Sequence, residues 1–573
     1  MKIKHLFGLA VIAAMTASCS SNEDLGNPDS GTNEAGVGYA TFTINLPSVG
    51  GTRAADAGGA EMDEGTAKEY AVKSATALIF QKYGSDEGSY KFVESVTLPI
   101  DGWTDDPEDG ITTTSKKLTA KLTNVDTKNT YAVLVLLNNK TASGVKITLP
   151  SVGQSYNEWN NNAQLPTVTD LAAENDFYMA NAPLVDASPT TLVTIDKDNI
   201  YPTKEKAEAG TSAATVYVER GVAKMSVTAP GTKKVTDKAT NTETNSTVEF
   251  SNWALDITNK KTYAVHNIDG LSTDFPDIWT TARFTGINKR VYWGKDPNYK
   301  NDDLKLKDKD ADREAEFNFI DATSKIDKDF GETNPVYCLE NTFNLANMYQ
   351  GQTTRVIFKA KYIPKNDTGA DLADTDGTFY TIGNMTTILK EADLETAVNA
   401  VANPVLPTGY TIDYTNFKTK EGSHVITLAD IKDASGVVLD GAATYGPSSK
   451  TGDEIVADIN AKLGLKAGRP EEMVGINTYL EGATYYIARV KHFGSLTSWN
   501  SGESYGTKNK EYLGRYGMLR NNWYELQVGN VYGPGYPGVP PVDPTLPDDE
   551  NEKYLSVSVK ILSWAKRSDT VDL

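Results

Sequence analysis

The sequence predicts an all-β chain of more than one domain with only a few short helices. Val, Ile, Leu and Tyr gather in runs of roughly four to eight residues, the length of buried strands. Gly, Asn, Asp and Pro close those runs, as between packed sheets, and helical spacing of apolar residues is confined to two short pieces. At 573 residues the chain exceeds one ordinary core, and 39% hydrophobic residues with 29 tyrosines make it a folding chain rather than a disordered one.

The first element is an address. Lys2 and Lys4 form a basic start, and Leu6 to Met15 is apolar but too short to span a bilayer. Thr16-Ala17-Ser18-Cys19 is a small-residue cleavage site ending in cysteine, with threonine where many lipoprotein signals carry leucine. Residues 1–18 are therefore read as a lipoprotein signal peptide, with Cys19 carrying the lipid that holds the chain on a membrane. Ser20 to Asp24 resembles the short acidic signals that direct lipoproteins to the outer face.

From Asn22 to Gly38 the residues are small and polar, as in a tether. In Tyr39 to Leu46 the pattern changes: Ala40, Phe42, Ile44 and Leu46 alternate with Thr41, Thr43 and Asn45, the period-two signature of a half-buried strand. An ordinary first strand of a sandwich would read the same way. A loose stretch, Val49 to Thr66, follows and holds Arg53, the only Lys or Arg between Lys4 and Lys68. An arginine in such a loop is open to a trypsin-like protease, with the cut falling between Arg53 and Ala54.

Further strands are expected at Ala75 to Lys82, Tyr131 to Asn138, Thr215 to Val218, Lys224 to Val227, Arg355 to Tyr362, Tyr485 to Val490 and Tyr524 to Val528. The helical pieces are Lys390 to Val401 and Gly452 to Leu463. Small and polar residues at Lys206 to Ala214 place a domain join there, separating an N-terminal domain at 54–212 from a C-terminal one at 213–532. Gly533 to Asp549 is proline-rich, and residues 533–553 read as a stiff, extended linker. Beyond it Leu555, Val557, Val559 and Ile561 alternate with polar residues and lead to Trp564. A strong strand on a long leash, residues 554–573, suits reaching another molecule.

The chemistry of an enzyme is not visible. His5, His266, His424 and His492 are scattered, and no phosphate loop, nucleophile elbow or Cys/His cluster occurs. No catalytic residue, metal or cofactor is predicted. Two aspartate-rich loops, Asp308/Asp310/Asp312 and Asp371/Asp374/Asp376, lack the glycine and distal glutamate of a calcium loop, so solvated loops are expected. With two cysteines, one of them Cys19, no disulfide framework exists, and Cys338 is expected to be buried. A net charge of -20 and a pI of about 4.8 repel phosphates and disfavour nucleic acid as a partner.

Four segments carry a resemblance. Val216 to Met225 (VYVERGVAKM), Thr353 to Tyr362 (TTRVIFKAKY), Tyr516 to Val528 (YGMLRNNWYELQV) and Leu555 to Leu573 (LSVSVKILSW…VDL) resemble the fimbrillins of Bacteroidales type V pili, most closely the shaft subunit of the minor fimbrium. Ser563 departs from the family's proline before the tryptophan. The resemblance implies two tandem transthyretin-like β-sandwich domains in an outer-membrane lipoprotein precursor. It also implies cleavage after Arg53 by an arginine-specific protease, with residues 19–53 as a lipidated propeptide. The strand bearing Ala40, Phe42, Ile44 and Leu46 would leave, and Leu555, Val557, Val559, Ile561 and Trp564 of a neighbouring copy would replace it. The implied partners are other copies of the chain, anchor and tip subunits, the protease, and a host or bacterial surface ligand. An anchor or tip subunit is the nearest alternative. A glycan-binding surface lipoprotein, with Trp103, Trp159 or Trp293 as stacking platforms, is the alternative from another class.

Overall fold

The computed structural model describes residues 31–33, 36–47, 65–101, 103, 115–126, 128–173, 176–185, 189–274, 290–299, 306, 310–321, 323–342, 347–446, 449–469, 473–492 and 515–548, together with the backbone of 62–63 and 555–564. Cys19, Arg53, Ala54 and Asp308 lie outside the described residues. Strands predominate, with a few short helices, as the all-β reading expects.

The principal strands of the first half are β1 (Gly38–Asn45), β2 (Met62–Asp63), β3 (Ala75–Gln81), β4 (Lys91–Leu98), β5 (Ser115–Leu122), β6 (Tyr131–Leu137), β7 (Met179–Asn181), β8 (Val193–Ile195), β9 (Ile200–Tyr201) and β10 (Ala214–Arg220). All but β2 join one continuous ladder that runs from β9 through β1, β10, β7, β6 and β3 to β4. Every residue of β6 is buried, which is why it reads as an unbroken apolar run rather than an alternating one. Asn181 takes part in its pairing through the side chain: Oδ1 accepts from Val135 N at 2.9 Å, and Nδ2 donates to Val133 O at 3.1 Å and to Thr191 O at 2.8 Å.

The second half contributes β11 (Ala223–Val227), β12 (Thr232–Asp237), β13 (Thr242–Asp256), β14 (Val336–Cys338), β15 (Arg355–Ile363), β16 (Phe379–Ile382), β17 (Gly422–His424), β18 (Ile476–Tyr479), β19 (Ala483–Arg489), β20 (Asn522–Val531) and β21 (Leu555–Trp564). A second ladder runs β2, β21, β20, β12, β13, β15, β19, with β11 beside β20. Its core holds Met225, Trp253, Phe358, Tyr486 and Leu526, all at 0% exposure. Cys338 is buried there too, and burial pushes its thiol up to about 12.

The join between the two cores differs from the expected 212/213. β10 pairs with β1 and β7, and Val216, Val218 and Val222 belong to the first core, whereas Ala223 and Met225 belong to the second. The small residues of Lys206 to Ala214 do not mark the join. They form helix α1 (Lys204–Ala209) and the approach to β10, with Ala207 buried where Thr41 Oγ1 donates to its carbonyl at 2.8 Å.

The second half also holds a module that strand runs alone do not announce. β16, β18 and β17 form a small sheet, covered by α2 (Glu391–Ala402) and α3 (Gly452–Lys462). Leu394 and Val398 of α2 and Ile455 and Ile459 of α3 share with Phe417 and Ile476 a core of their own. Thr451 and Glu454 close a capping box at the start of α3.

The proline-rich stretch is not a free leash. Tyr536 exchanges two backbone hydrogen bonds with Tyr485, at 2.8 and 2.9 Å, and Gln350 N donates to Leu546 O at 2.9 Å. Arg355 Nη2 donates to Pro540 O at 2.7 Å, while its Nε is held by Asp256 Oδ2 at 2.7 Å. Proline removes a donor but keeps its carbonyl, and a buried guanidinium supplies the missing partners. At Gly535 (φ +67°) a Cβ would stand 2.5 Å from Tyr485 O, so only glycine permits this approach. No helix among the described residues is long and apolar enough to cross a membrane.

Candidate functional site

Two strands, β1 near the N-terminus and β21 near the C-terminus, are the elements on which the sequence reading places function. β1 is a central strand. On one edge it pairs antiparallel with β5 along its whole length, from Gly38 opposite Leu122 to Asn45 opposite Ser115. On the other it pairs parallel with β10, from Phe42 opposite Ala214 to Asn45 opposite Tyr217, and antiparallel with β9 at Tyr39 and Ala40.

The apolar half of the alternation fills the core: Ala40, Phe42 and Ile44 are at 0% exposure and Leu46 at 1%. The polar half is also engaged. Thr41 Oγ1 lies 2.7 Å from Thr119 Oγ1, and Thr43 Oγ1 lies 2.7 Å from Ser212 Oγ. Asn45 Nδ2 donates to Val216 O at 3.4 Å. Removal of β1 would thus expose an apolar trough and two rows of unpaired backbone groups.

β21 lies antiparallel on β20 of its own chain, in eight register pairs with a shift between Val528 and Val531. The register sets Val557, Val559 and Ile561 opposite Val528, Leu526 and Tyr524, all three of which are buried. Among the described residues its other edge pairs with β2, at Met62 opposite Ser563 and Asp63 opposite Trp564. Met62–Asp63 and the strand before the C-terminal residues therefore meet at the edge of the second sheet.

The segment after β2 is fixed between the two cores by buried charges. Lys224 Nζ reaches Glu69 Oε1 at 2.9 Å and stands 3.5 Å from the ring centroid of Trp523. Tyr337 Oη donates to Glu69 Oε1 at 2.5 Å, and Arg220 Nε donates to the Glu69 carbonyl at 2.9 Å. Burial pushes the Glu69 carboxyl up, but Lys224 and Tyr337 outweigh it and hold the group below its ordinary value. Nearby, Glu219 meets His266 Nδ1 at 3.0 Å and also Arg290. The sequence reading missed these partners, because charged residues dispersed through a sequence carry no mark of burial.

The remaining sequence candidates are dispersed. Asp310 pairs with Arg313 and Arg469, Asp374 accepts from Glu391 N, and Asp376 accepts from Thr378 N. Among the described residues no group of three or more His, Cys, Asp or Glu is placed to hold a metal. His492 Nδ1 faces Tyr524 Oη at 2.7 Å, and His424 Nε2 lies near two backbone carbonyls, both far in sequence from His266. Trp103, Trp159 and Trp293 are at most 3% exposed, so they pack the cores and offer no stacking platform.

Residues 477–570, which run from β18 to beyond β21, match the family model described as "Major fimbrial subunit protein type IV, Fimbrillin, C-terminal". By that region the chain is similar to the fimbrillins. Fimbrillins are structural subunits of surface fimbriae, not enzymes. The chain also shows distant likeness to three solved structures. A candidate cell-adhesion protein from Parabacteroides distasonis is 10% identical over 92% of this chain and 98% of its own, with a TM-score of 0.36. A fimbrial assembly protein from the same organism is 12% identical over 61% and 93%, with a TM-score of 0.27. The tip fimbrial protein Mfa3 from Porphyromonas gingivalis, with a C-terminal truncation, is 12% identical over 92% and 100%, with a TM-score of 0.28. No curated protein matches this chain.

Proposed function

We propose that this chain is the polymerising shaft subunit of a surface fimbrium, exported as an outer-membrane lipoprotein on Cys19, cleaved between Arg53 and Ala54, and assembled by donor-strand exchange. The observation that carries the reading is β1: a strand paired on both edges with its apolar face wholly buried, lying upstream of Arg53 in the sequence. Cleavage by an arginine-specific protease detaches β1 from the mature chain, which begins at Ala54. The trough then receives β21 of a neighbouring copy, whose main chain supplies affinity and whose alternate residues supply register.

Backbone pairing favours the exchange. On its own chain β21 has eight pairs with β20 but only two with β2. The β1 site offers eight with β5, four with β10 and two with β9. Burial adds to this: Leu555, Val557, Val559 and Ile561 each contribute about 1.5 to 3 kcal/mol when they replace Ala40, Phe42, Ile44 and Leu46 in the core. A head-to-tail contact that does not close on itself propagates as a filament. Anchor and tip subunits would terminate it, and Trp564 would travel with the donated strand.

N-terminal sequencing of protein sheared from the cell surface, beside an unboiled denaturing gel, tests the reading. A start at Ala54, with a ladder of oligomers that disappears on deleting Tyr554 to Leu573, is expected. A lipidated start at Cys19 without a ladder would make the chain an anchor or another surface lipoprotein.

A further inference from the structure

The two neighbours of β1 are held in the fold by different means. β5 pairs with β1 along all eight of its residues, from Ser115 opposite Asn45 to Leu122 opposite Gly38, and among the described residues it pairs with no other strand. β10, on the opposite edge, keeps a second partner, because residues 218–220 continue into three pairs with β7. β1 is thus the middle of a layer with one wall built into the rest of the sandwich and one wall joined to it through β1.

What pins β5 independently of β1 lies at one end. Glu94 on β4 accepts from Thr123 N at 3.1 Å, from Thr123 Oγ1 at 2.8 Å and from Asn124 N at 2.9 Å, so the residues just after β5 are tied to β4. Toward the core β5 offers Leu118, Ala120 and Leu122, none more than 3% exposed. Without β1 its backbone has no ladder, and Thr119 Oγ1 loses Thr41 Oγ1, which stands 2.7 Å away. Burial of two leucines and an alanine falls short of the cost of ordering eight residues that have lost their ladder.

We propose that β5 is the hinged wall of the strand-acceptor site: it swings out about its pinned end at Thr123 when β1 leaves, and it closes again on the strand that takes the place of β1. The inference rests on the reading of β1 as a removable strand and names the part of the acceptor site that moves. An incoming strand first meets the fixed edge of β10, and its other edge then orders β5, so that the occupant completes its own site. Lys117 and Lys121 are exposed on β5, with Lys116 beside them, and like charges keep two freed β5 strands from pairing with each other. β21 carries a single lysine, Lys560, and meets no such barrier.

Hydrogen exchange read by mass spectrometry, on the unprocessed chain and on a dilute, monomeric chain that begins at Ala54, tests it. Amides of 115–122 are expected to exchange at least about tenfold faster in the chain that begins at Ala54, while those of 131–137 in β6 keep their protection. A peptide of residues 38–46 is expected to restore the protection of 115–122, and so is one of residues 554–564. Restoration by 38–46 alone would uphold the hinge and tell against β21 as the donor. Full protection of 115–122 without β1 would overturn the proposal, as would failure of 38–46 to restore it, or an equal loss at 131–137, which would mean that the first domain unfolds as a whole. In the unprocessed chain, 38–45 and 115–122 are expected to open together as urea is raised, ahead of 131–137. Protection at 115–122 that outlasts 38–45 would overturn the proposal even if the shorter chain does not fold.

Discussion

The ammonium of Lys224 sits 2.9 Å from the carboxylate of Glu69, with both side chains no more than 3% exposed. The pair joins the short helix Ala67–Tyr70 to the first strand of the second core. Removing one member leaves the other charge buried and uncompensated, so Lys224→Met is expected to cost about 3 to 5 kcal/mol, and Lys224→Met with Glu69→Gln distinctly less. Urea unfolding of the wild type, Lys224→Met, Glu69→Gln and the double variant closes this double-mutant cycle. Because the Glu69 carboxyl is held below its ordinary value, its contribution is present at neutral pH and is lost as acidification protonates it in the folded state.

Phe42→Ala separates a role in the precursor from a role in the filament. Phe42 is completely buried in β1, and truncation of such a ring costs about 3 to 5 kcal/mol. The unprocessed chain is expected to lose that stability in urea. Filaments built from chains that begin at Ala54 no longer contain the residue, and their ladder is expected to resist heat as the wild type does. A filament weakened by Phe42→Ala would mean that β1 remains in the assembled subunit.

Glu87 gives a pH signature. Its folded value is raised to about 7 from the ordinary 4.5, so its contribution to stability is fully present at low pH and is lost as the pH rises through 7, by a few kcal/mol at most. Glu87→Gln removes that titration. The fall in unfolding free energy between about pH 5 and pH 8 is expected to be smaller in the variant than in the wild type, as measured by urea titration at both ends.

The strand class was legible because apolar runs and alternations are local patterns. Tyr131 to Asn138 and Arg355 to Tyr362 appear as β6 and β15 with ends that differ by a residue, and the alternation of Ala40, Phe42, Ile44 and Leu46 marks the inward face of β1. What depends on distant partners was not legible. The stretch Lys206 to Ala214 reads as a domain join by composition, yet Ala207 is buried beneath Thr41 within the first domain. Glu69, Lys224, Tyr337 and Trp523 form one cluster from four separate segments, and no spacing rule connects them. The module around α2 and α3 escaped notice as a unit because its three short strands are too brief to stand out beside the helices.

The docking of the proline-rich stretch rests on Arg355, and this sets the last expectation. Its guanidinium bridges Asp256, fully buried on β13, to the carbonyls of Pro540 and Pro541. Arg355→Met removes the donors for both proline carbonyls and leaves Asp256 as an unpaired buried charge, so a loss of about 3 to 5 kcal/mol is expected. Arg355→Met with Asp256→Asn removes the buried charge while keeping an oxygen for Ile257 N and Ile320 N, and is expected to recover much of that stability while leaving the proline carbonyls without their donor. In the double variant the stretch 533–548 should therefore open locally in a chain that is otherwise folded, and hydrogen exchange at Tyr536 and Leu546 reads the opening directly. Protection there equal to the wild type would show that the backbone bonds to Tyr485 and Gln350 hold the stretch without Arg355.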